Sequence, residues 1–158
     1  MVTRHMPWEA VSATHFWGAY RMTGILQRLR IRTIDTGIQH GTVTVMIGDD
    51  GYEVTTYRMD GEYEDHRHPK EVLFTPNLNE DLKRRDFTIN AMAYNPRVGI
   101  VDLYGGREDL EKKVIRCVGE ANERFDEDAL RMLRGIRFAG QLQFELEEKT
   151  FLATQLNL

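Results

Sequence analysis

Two runs of alternating residues, Thr42-Val43-Thr44-Val45-Met46-Ile47 and Tyr52-Glu53-Val54-Thr55-Thr56-Tyr57-Arg58, flank the turn-forming stretch Gly48-Asp49-Asp50-Gly51. Side chains on a strand point alternately to its two faces, so this period of two marks a pair of half-buried strands. The spacing predicts a β-hairpin whose loop is longer than the two-residue minimum.

The remaining segments read mainly as helices and short strands. In residues 1–32, Trp8, Phe16, Trp17, Tyr20, Ile25 and Leu29 recur at roughly helical intervals, and Arg21, Arg28, Arg30 and Arg32 make the stretch basic. An amphipathic helix is expected there, packing its aromatics on this chain or on a second copy, which would make a homo-oligomer through residues 8–29. Residues 59–76 read as an extended, charged loop. A helix is expected to open at Leu78-Asn79-Glu80-Asp81, with Asn79 as N-cap and acids in the first turn, and to end before Asn95-Pro96. Next come a strand from Gly99 to Leu103, a Gly105-Gly106 turn, a helical turn around Asp109-Leu110, a strand from Val114 to Val118 and a helix from about Asp126 to Leu142. The pattern is α+β: a small, mostly antiparallel sheet with flanking helices.

A chain of 158 residues suits one ordinary domain, or a domain with an appendage, and 41% hydrophobic with 29% charged residues is a globular composition. No apolar run approaches bilayer length and no signal pattern opens the chain, so the expectation is a cytoplasmic protein with no membrane partner. The single cysteine, Cys117, cannot form an internal disulfide and reads as a small buried residue. A net charge of −4 argues against a wholly basic nucleic-acid surface and leaves room for a local basic patch.

Two polar clusters carry the chemistry. The first, Arg84-Arg85-Asp86-Phe87-Thr88-Ile89-Asn90-Ala91-Met92-Ala93-Tyr94-Asn95, sets two guanidinium groups, a carboxylate and an amide in an otherwise apolar segment. Guanidinium groups hold phosphate through paired, charge-assisted hydrogen bonds. On a helix Arg84 and Arg85 diverge by about 100° and cannot point at one atom. Phe87, Ile89, Ala91 and Ala93 then read as core. Arg85, Asp86 and Asn90 form the polar face, with Arg85 reaching a phosphate and Asp86 orienting it. A surface ion pair is the plain alternative, although Asn90 in an apolar run needs a specific partner. The second cluster spaces Asp128, Arg131, Arg134 and Arg137 three residues apart, with Leu130, Leu133 and Phe138 opposite. It reads either as an exposed helix laced by i,i+3 salt bridges or as a base-reading surface. Cytosine and adenine each present an amino group beside an unprotonated ring nitrogen. A carboxylate accepts from the first while a guanidinium donates to the second. Guanine and uracil present the reverse polarity.

The segments Arg85-Asp86-Phe87-Thr88-Ile89-Asn90-Ala91, Asp102-Leu103-Tyr104-Gly105-Gly106 and Glu127-Asp128-Ala129-Leu130-Arg131, with the two hairpin strands, resemble the bacterial class II tRNA nucleotidyltransferase (CCA-adding enzyme) and poly(A) polymerase family. The resemblance spans about residues 33 to 150. It implies a polymerase-β-like nucleotidyltransferase head at 33–119 and the start of a helical neck at 120–158, with 1–32 an unmatched amphipathic segment. It further implies template-independent addition of CCA to tRNA 3′ ends from CTP and ATP with Mg2+. Nucleotide binding then falls to Arg85, Asp86, Asn90, Glu127, Asp128, Arg131, Arg134 and Arg137, with Asp128 and Arg131 reading the base. Family members begin the head with an Asp-x-Asp strand that holds the metal ions. Here only Glu9 and Asp35 are acidic before Gly41. Glu53 is a candidate third carboxylate, or simply a strand-surface acid, and the metal ligands stay unassigned. The chain is therefore expected to bind nucleotide and to turn over poorly alone. The alternatives are a noncatalytic nucleotide-binding or assembly module and an A-adding poly(A) polymerase.

Overall fold

The computed structural model describes residues 18–38, 41–61 and 72–157. The chain divides into two compact units, Met1–Met59 with Val72–Leu78, and Asp60–Glu71 with Asn79–Leu158. The fold is α+β throughout, with small, mainly antiparallel sheets. Among the described residues no helix is long and apolar enough to cross a membrane.

The first unit holds helix α1 (Gly18–Arg28) and a three-stranded antiparallel sheet in the order β1 (Thr33–Gly37), β2 (Thr42–Ile47), β3 (Asp50–Thr55). The expected hairpin is β2–β3, and its period holds: Val43 and Val45 are buried on one face of β2. Its loop is shorter than expected. Ile47 pairs with Asp50, leaving Gly48 and Asp49 as a two-residue turn. Gly48 takes φ 63, the conformation a primed turn needs to match the strand twist. The other face is polar. Thr36 bonds Thr44 at 3.0 Å and Thr42 bonds Thr55 at 3.1 Å across the strands, and Glu53 pairs in register with Thr44. Two short strands, β4 (Arg58–Asp60) and β5 (Val72–Phe74), pair where the sequence predicts a loop, because Tyr57 and Thr75 also join backbone to backbone. Gly41 lets this layer close, since a Cβ there would stand 2.4 Å from the Phe74 ring.

Helix α1 buries Leu26, while Ile25 and Leu29 are exposed. It ends in a Schellman motif: Arg30 turns left-handed (φ 57) and the Ile31 N–H returns to the Leu26 carbonyl at 2.9 Å. Trp8, Phe16 and Trp17 lie outside the described residues.

The second unit runs α2 (Leu78–Lys83), a 3₁₀ turn (Thr88–Asn90), the hairpin β6 (Met92–Asn95) and β7 (Gly99–Asp102), α3 (Gly106–Lys112), β8 (Val114–Ile115), α4 (Ala121–Glu127), α5 (Leu130–Leu142), β9 (Glu145–Leu146) and α6 (Glu148–Asn157). Strands β8 and β9 pair in parallel. The core gathers Phe87, Ile115, Cys117, Ala121, Phe125, Met132 and Ala153. Burial pushes the Cys117 thiol up to about 11, so it is a packed hydrophobe rather than a nucleophile.

Two helix expectations are corrected. The helix opening at Leu78 stops at Lys83 instead of running to Asn95. Asp86 and Phe87 are drawn into an edge interaction with Cys117 and Val118, and Met92–Asn95 is a strand. Nor is Asn79 the cap, since it lies inside the helix and its side-chain oxygen accepts from the Tyr104 hydroxyl at 2.7 Å. The helix expected from Asp126 to Leu142 is broken at Asp128, which is extended (φ −146, ψ 101). Its carboxylate accepts the Leu130 N–H at 3.0 Å, which starts α5 afresh.

Asp102 secures the start of α3, accepting the N–H groups of Gly106 and Arg107 at 2.9 Å each. Desolvation opposes its ionisation, but the N–H groups of Arg107, Gly106, Tyr104 and Gly105 outweigh that and hold the carboxyl below its ordinary 3.8. A depressed carboxyl lends stability that is complete above the unfolded-state value and is lost as pH falls through the folded one. Thermal melts from about pH 5 to about pH 3 should therefore show a falling midpoint, and Asp102→Asn should flatten that limb while lowering the midpoint at neutral pH.

Candidate functional site

The polar residues of the second unit assemble around Asp86. It is buried, and each carboxylate oxygen has its own partners. Oδ1 accepts the Phe87 N–H at 2.8 Å and the Asn90 side-chain amide at 3.2 Å. Oδ2 accepts Arg134 through Nε at 2.7 Å and through a terminal nitrogen at 2.6 Å. Asp86 thus joins the segment after α2 to the middle of α5, 48 residues later. The sequence predicts that Asp86 orients Arg85. Instead it orients Arg134, while the specific partner expected for Asn90 is this same carboxylate.

Arg84 and Arg85 reach one carboxylate but not one atom, as their divergence predicts. Asp81, only 3% exposed, takes Arg84 on Oδ1 at 2.8 Å and Arg85 on Oδ2 at 3.3 Å. The helix ends between acid and bases, so Arg85 can fold back, and it also donates to the Asn90 carbonyl at 3.3 Å. Sequence reasoning misses Asp81, although its spacing of three and four residues from the two arginines is a visible signal.

Helix α5 is turned the other way from expectation. Arg131 is 6% exposed and faces inward with Met132 and Gly135, while Leu130, Leu133 and Ile136 lie on the surface. Phe87 decides this: it sits under Gly135, where a Cβ would come within 3.0 Å of its ring. One turn earlier Arg131 meets Glu127 at 2.7 Å and the carbonyls of Arg84 at 3.2 Å and Arg124 at 3.4 Å. Glu127 also pairs with Arg124. Arg134 and Arg137 flank the Phe138 ring, 5.4 and 5.1 Å from its centroid, and that ring meets Phe87 edge-on at 5.9 Å. Asp128, at the break before α5, is half-buried.

The structure therefore brings Arg85, Asp86, Asn90, Arg131, Arg134 and Glu127 into one connected network, with Asp128 and Arg137 on its α5 side. Arginines held by carboxylates from behind are pre-organised to receive an anion in front. Glu53 belongs to the first unit and stands exposed on its polar sheet face. Among the described residues no group of three or more His, Cys, Asp or Glu can hold a metal ion. Asp35 is engaged locally, accepting the Ile38 N–H at 3.0 Å. One exposed acid does not fit the two-cation site that the resemblance implies, and no chemical step is assigned through metal.

Small, mainly antiparallel sheets carry arginines anchored on buried carboxylates, the arrangement of an α+β head domain. The chain belongs to the poly A polymerase head-domain family, whose model matches residues 13–116. It is 54% identical over 132 residues to the CCA-adding enzyme of Lactobacillus helveticus, covering 84% of this chain and 33% of that protein. Among solved structures, the Bacillus stearothermophilus CCA-adding enzyme in complex with CTP aligns with a TM-score of 0.69 and 48% identity over 77% of this chain and 29% of that one. A tRNA nucleotidyltransferase complexed with a primer tRNA and an incoming ATP analog aligns with a TM-score of 0.66 and 32% identity over 89% and 38%. The chain spans about a third of the length of the curated relatives it matches.

Proposed function

We propose that this chain is the nucleotide-binding part of a template-independent nucleotidyltransferase that adds CCA to tRNA 3′ ends. The observation that carries the reading is the buried Asp86, which holds Arg134 and Asn90 together with Arg85 nearby. That is how a protein would present guanidinium groups to a triphosphate without losing them to solvent. Relatives known as CCA-adding enzymes, and solved relatives carrying CTP, an ATP analog and a primer tRNA, support CTP, ATP and tRNA as the partners.

In this reading residues 33–119 serve as the head and 120–158 as the start of a neck. Arg85, Arg134 and Arg137 receive the phosphates. Asp128 and Arg131 read the base edge, accepting from the amino group of C or A and donating to the ring nitrogen beside it. Glu127 keeps Arg131 in place. Glu53 stays a candidate third carboxylate, and the ligands of the Mg2+ that the family resemblance implies stay unassigned.

A second reading follows from the same shortage of acids: the chain binds nucleotide without turning it over. A tRNA 3′-end extension assay with labelled CTP and ATP separates them. With Mg2+ alone, incorporation is expected to stay at background. Incorporation on adding a polypeptide that supplies the Asp-x-Asp strand would support the polymerase reading, and continued silence would leave the binding module standing.

A further inference from the structure

Behind the Asp86 cluster lies a second polar chain that the proposed function does not use. Asp109 on α3 is 3% exposed and accepts the Thr88 hydroxyl at 2.6 Å on Oδ2. Arg116 donates Nε to the same carboxylate at 3.1 and 3.2 Å and reaches Glu147 at 3.3 Å. Glu147 in turn accepts the Thr150 N–H at 3.0 Å and its hydroxyl at 3.1 Å. Thr88 is the first residue of the 3₁₀ turn, and Asn90 is the last.

Two independent observations say that α3 presses on this turn. The first is the Asp109–Thr88 bond. The second is Gly106, where a Cβ would meet the Thr88 carbonyl oxygen at 2.3 Å, so backbone touches backbone with no room for a side chain. Thr88 is therefore fixed on both its hydroxyl and its carbonyl side. Two residues on, Asn90 holds one oxygen of Asp86, whose other oxygen holds Arg134. A shift of the turn moves Asn90 first and then the carboxylate that aims the arginine.

We infer that Thr88 and Asp109 are positioning residues for nucleotide selection: their buried hydrogen bond sets the turn that carries Asn90, and through Asn90 it aims the Asp86–Arg134 pair. This deepens the proposed function and rests on it for the word nucleotide. The positioning itself is independent of any ligand. The Thr88 hydroxyl makes the shortest bond to the buried Asp109 carboxylate, 2.6 Å against 3.1 and 3.2 Å from the Arg116 Nε that is shared between its two oxygens, so removing the hydroxyl takes away the closer hold on that carboxylate. Thr88 carries the sole side-chain hydroxyl that bonds Asp109 among the described residues.

The test uses the 158-residue chain with Thr88→Val, Thr88→Ser and, as a structural control at the outer end of the polar chain, Glu147→Gln. Two signals are read: the Asn90 side-chain amide resonances and their exchange in the ligand-free protein, and calorimetric affinities for CTP and GTP. Thr88→Val is expected to free the Asn90 amide and to cost on the order of ten-fold in CTP affinity, as small misplacements of a site do. Thr88→Ser should restore both, and Glu147→Gln should keep both despite a lower melting point. An unchanged Asn90 amide in Thr88→Val, or equal loss in Glu147→Gln, overturns the inference. If Thr88→Val does not fold, Asp109→Asn weakens the same bond at constant size: a freed Asn90 amide upholds the inference and an unchanged one overturns it. A parent chain that binds CTP and GTP alike rejects the nucleotide reading, while the Asn90 signal still decides the positioning.

Discussion

CTP and ATP are expected to bind the 158-residue chain on the order of ten- to a hundred-fold more tightly than GTP and UTP, the discrimination one well-made pair of hydrogen bonds to a base edge provides. The polarity of the edge decides the sign. Asp128 can only accept and Arg131 can only donate, so a base presenting amino group and bare ring nitrogen meets both, and a base presenting carbonyl and ring N–H meets neither. Asp128→Asn is the informative variant, because an amide accepts or donates by flipping and should admit all four bases. The Leu130 N–H that Asp128 now accepts can be kept by the amide oxygen, so α5 should still start in the same place. Titration calorimetry with the four nucleotides checks this. Equal binding of all four by the parent chain would remove Asp128 and Arg131 from the base site.

Arg131→Ala is expected to be the most destabilising removal of a charge in the second unit, costing about 3–5 kcal/mol, the usual loss when one partner of a buried ion pair is removed. Arg131 is 6% exposed and its guanidinium serves Glu127 and two backbone carbonyls at once, so truncation strands three acceptors. Against a typical total of about 5–15 kcal/mol, that is a large share of the stability. Leu133→Ala, two positions away on the same helix and 56% exposed, should change stability by roughly 0.5 kcal/mol or less. Urea melts of the two variants test the orientation of α5 directly. If the leucine variant lost more than the arginine variant, the helix would have to be turned over. The same melts explain why Arg131 is a poor choice for a binding assay: its loss would confound recognition with folding.

The particular elements show where sequence and tertiary structure divide. The hairpin β2–β3 is readable because a period of two is a local property, and its turn is over-counted only because Asp50 looks like a turn residue while pairing with Ile47. The core roles of Phe87 and Ala91 and the need of Asn90 for a partner are likewise readable, since each follows from polarity within a few residues. The helix through Arg84–Asn95 is over-extended because nothing local announces that Thr88 N–H will bond Arg116 and Val118 N–H will bond Asp86. Asp128 carries a local warning, since an aspartate two residues before a helix start competes for its N–H groups.

By itself the sequence determined the inventory: two strands of fixed face, two arginine-rich clusters, and motifs specific enough to name the family. Tertiary structure alone decided the pairing. It gave Asp86 to Arg134 rather than to Arg85, gave Asp109 to Thr88 across 21 residues, and turned Arg131 of α5 inward. The physical reason is that a buried charge must find a partner wherever the fold brings one, and partners 21 or 48 residues away leave no trace in local spacing.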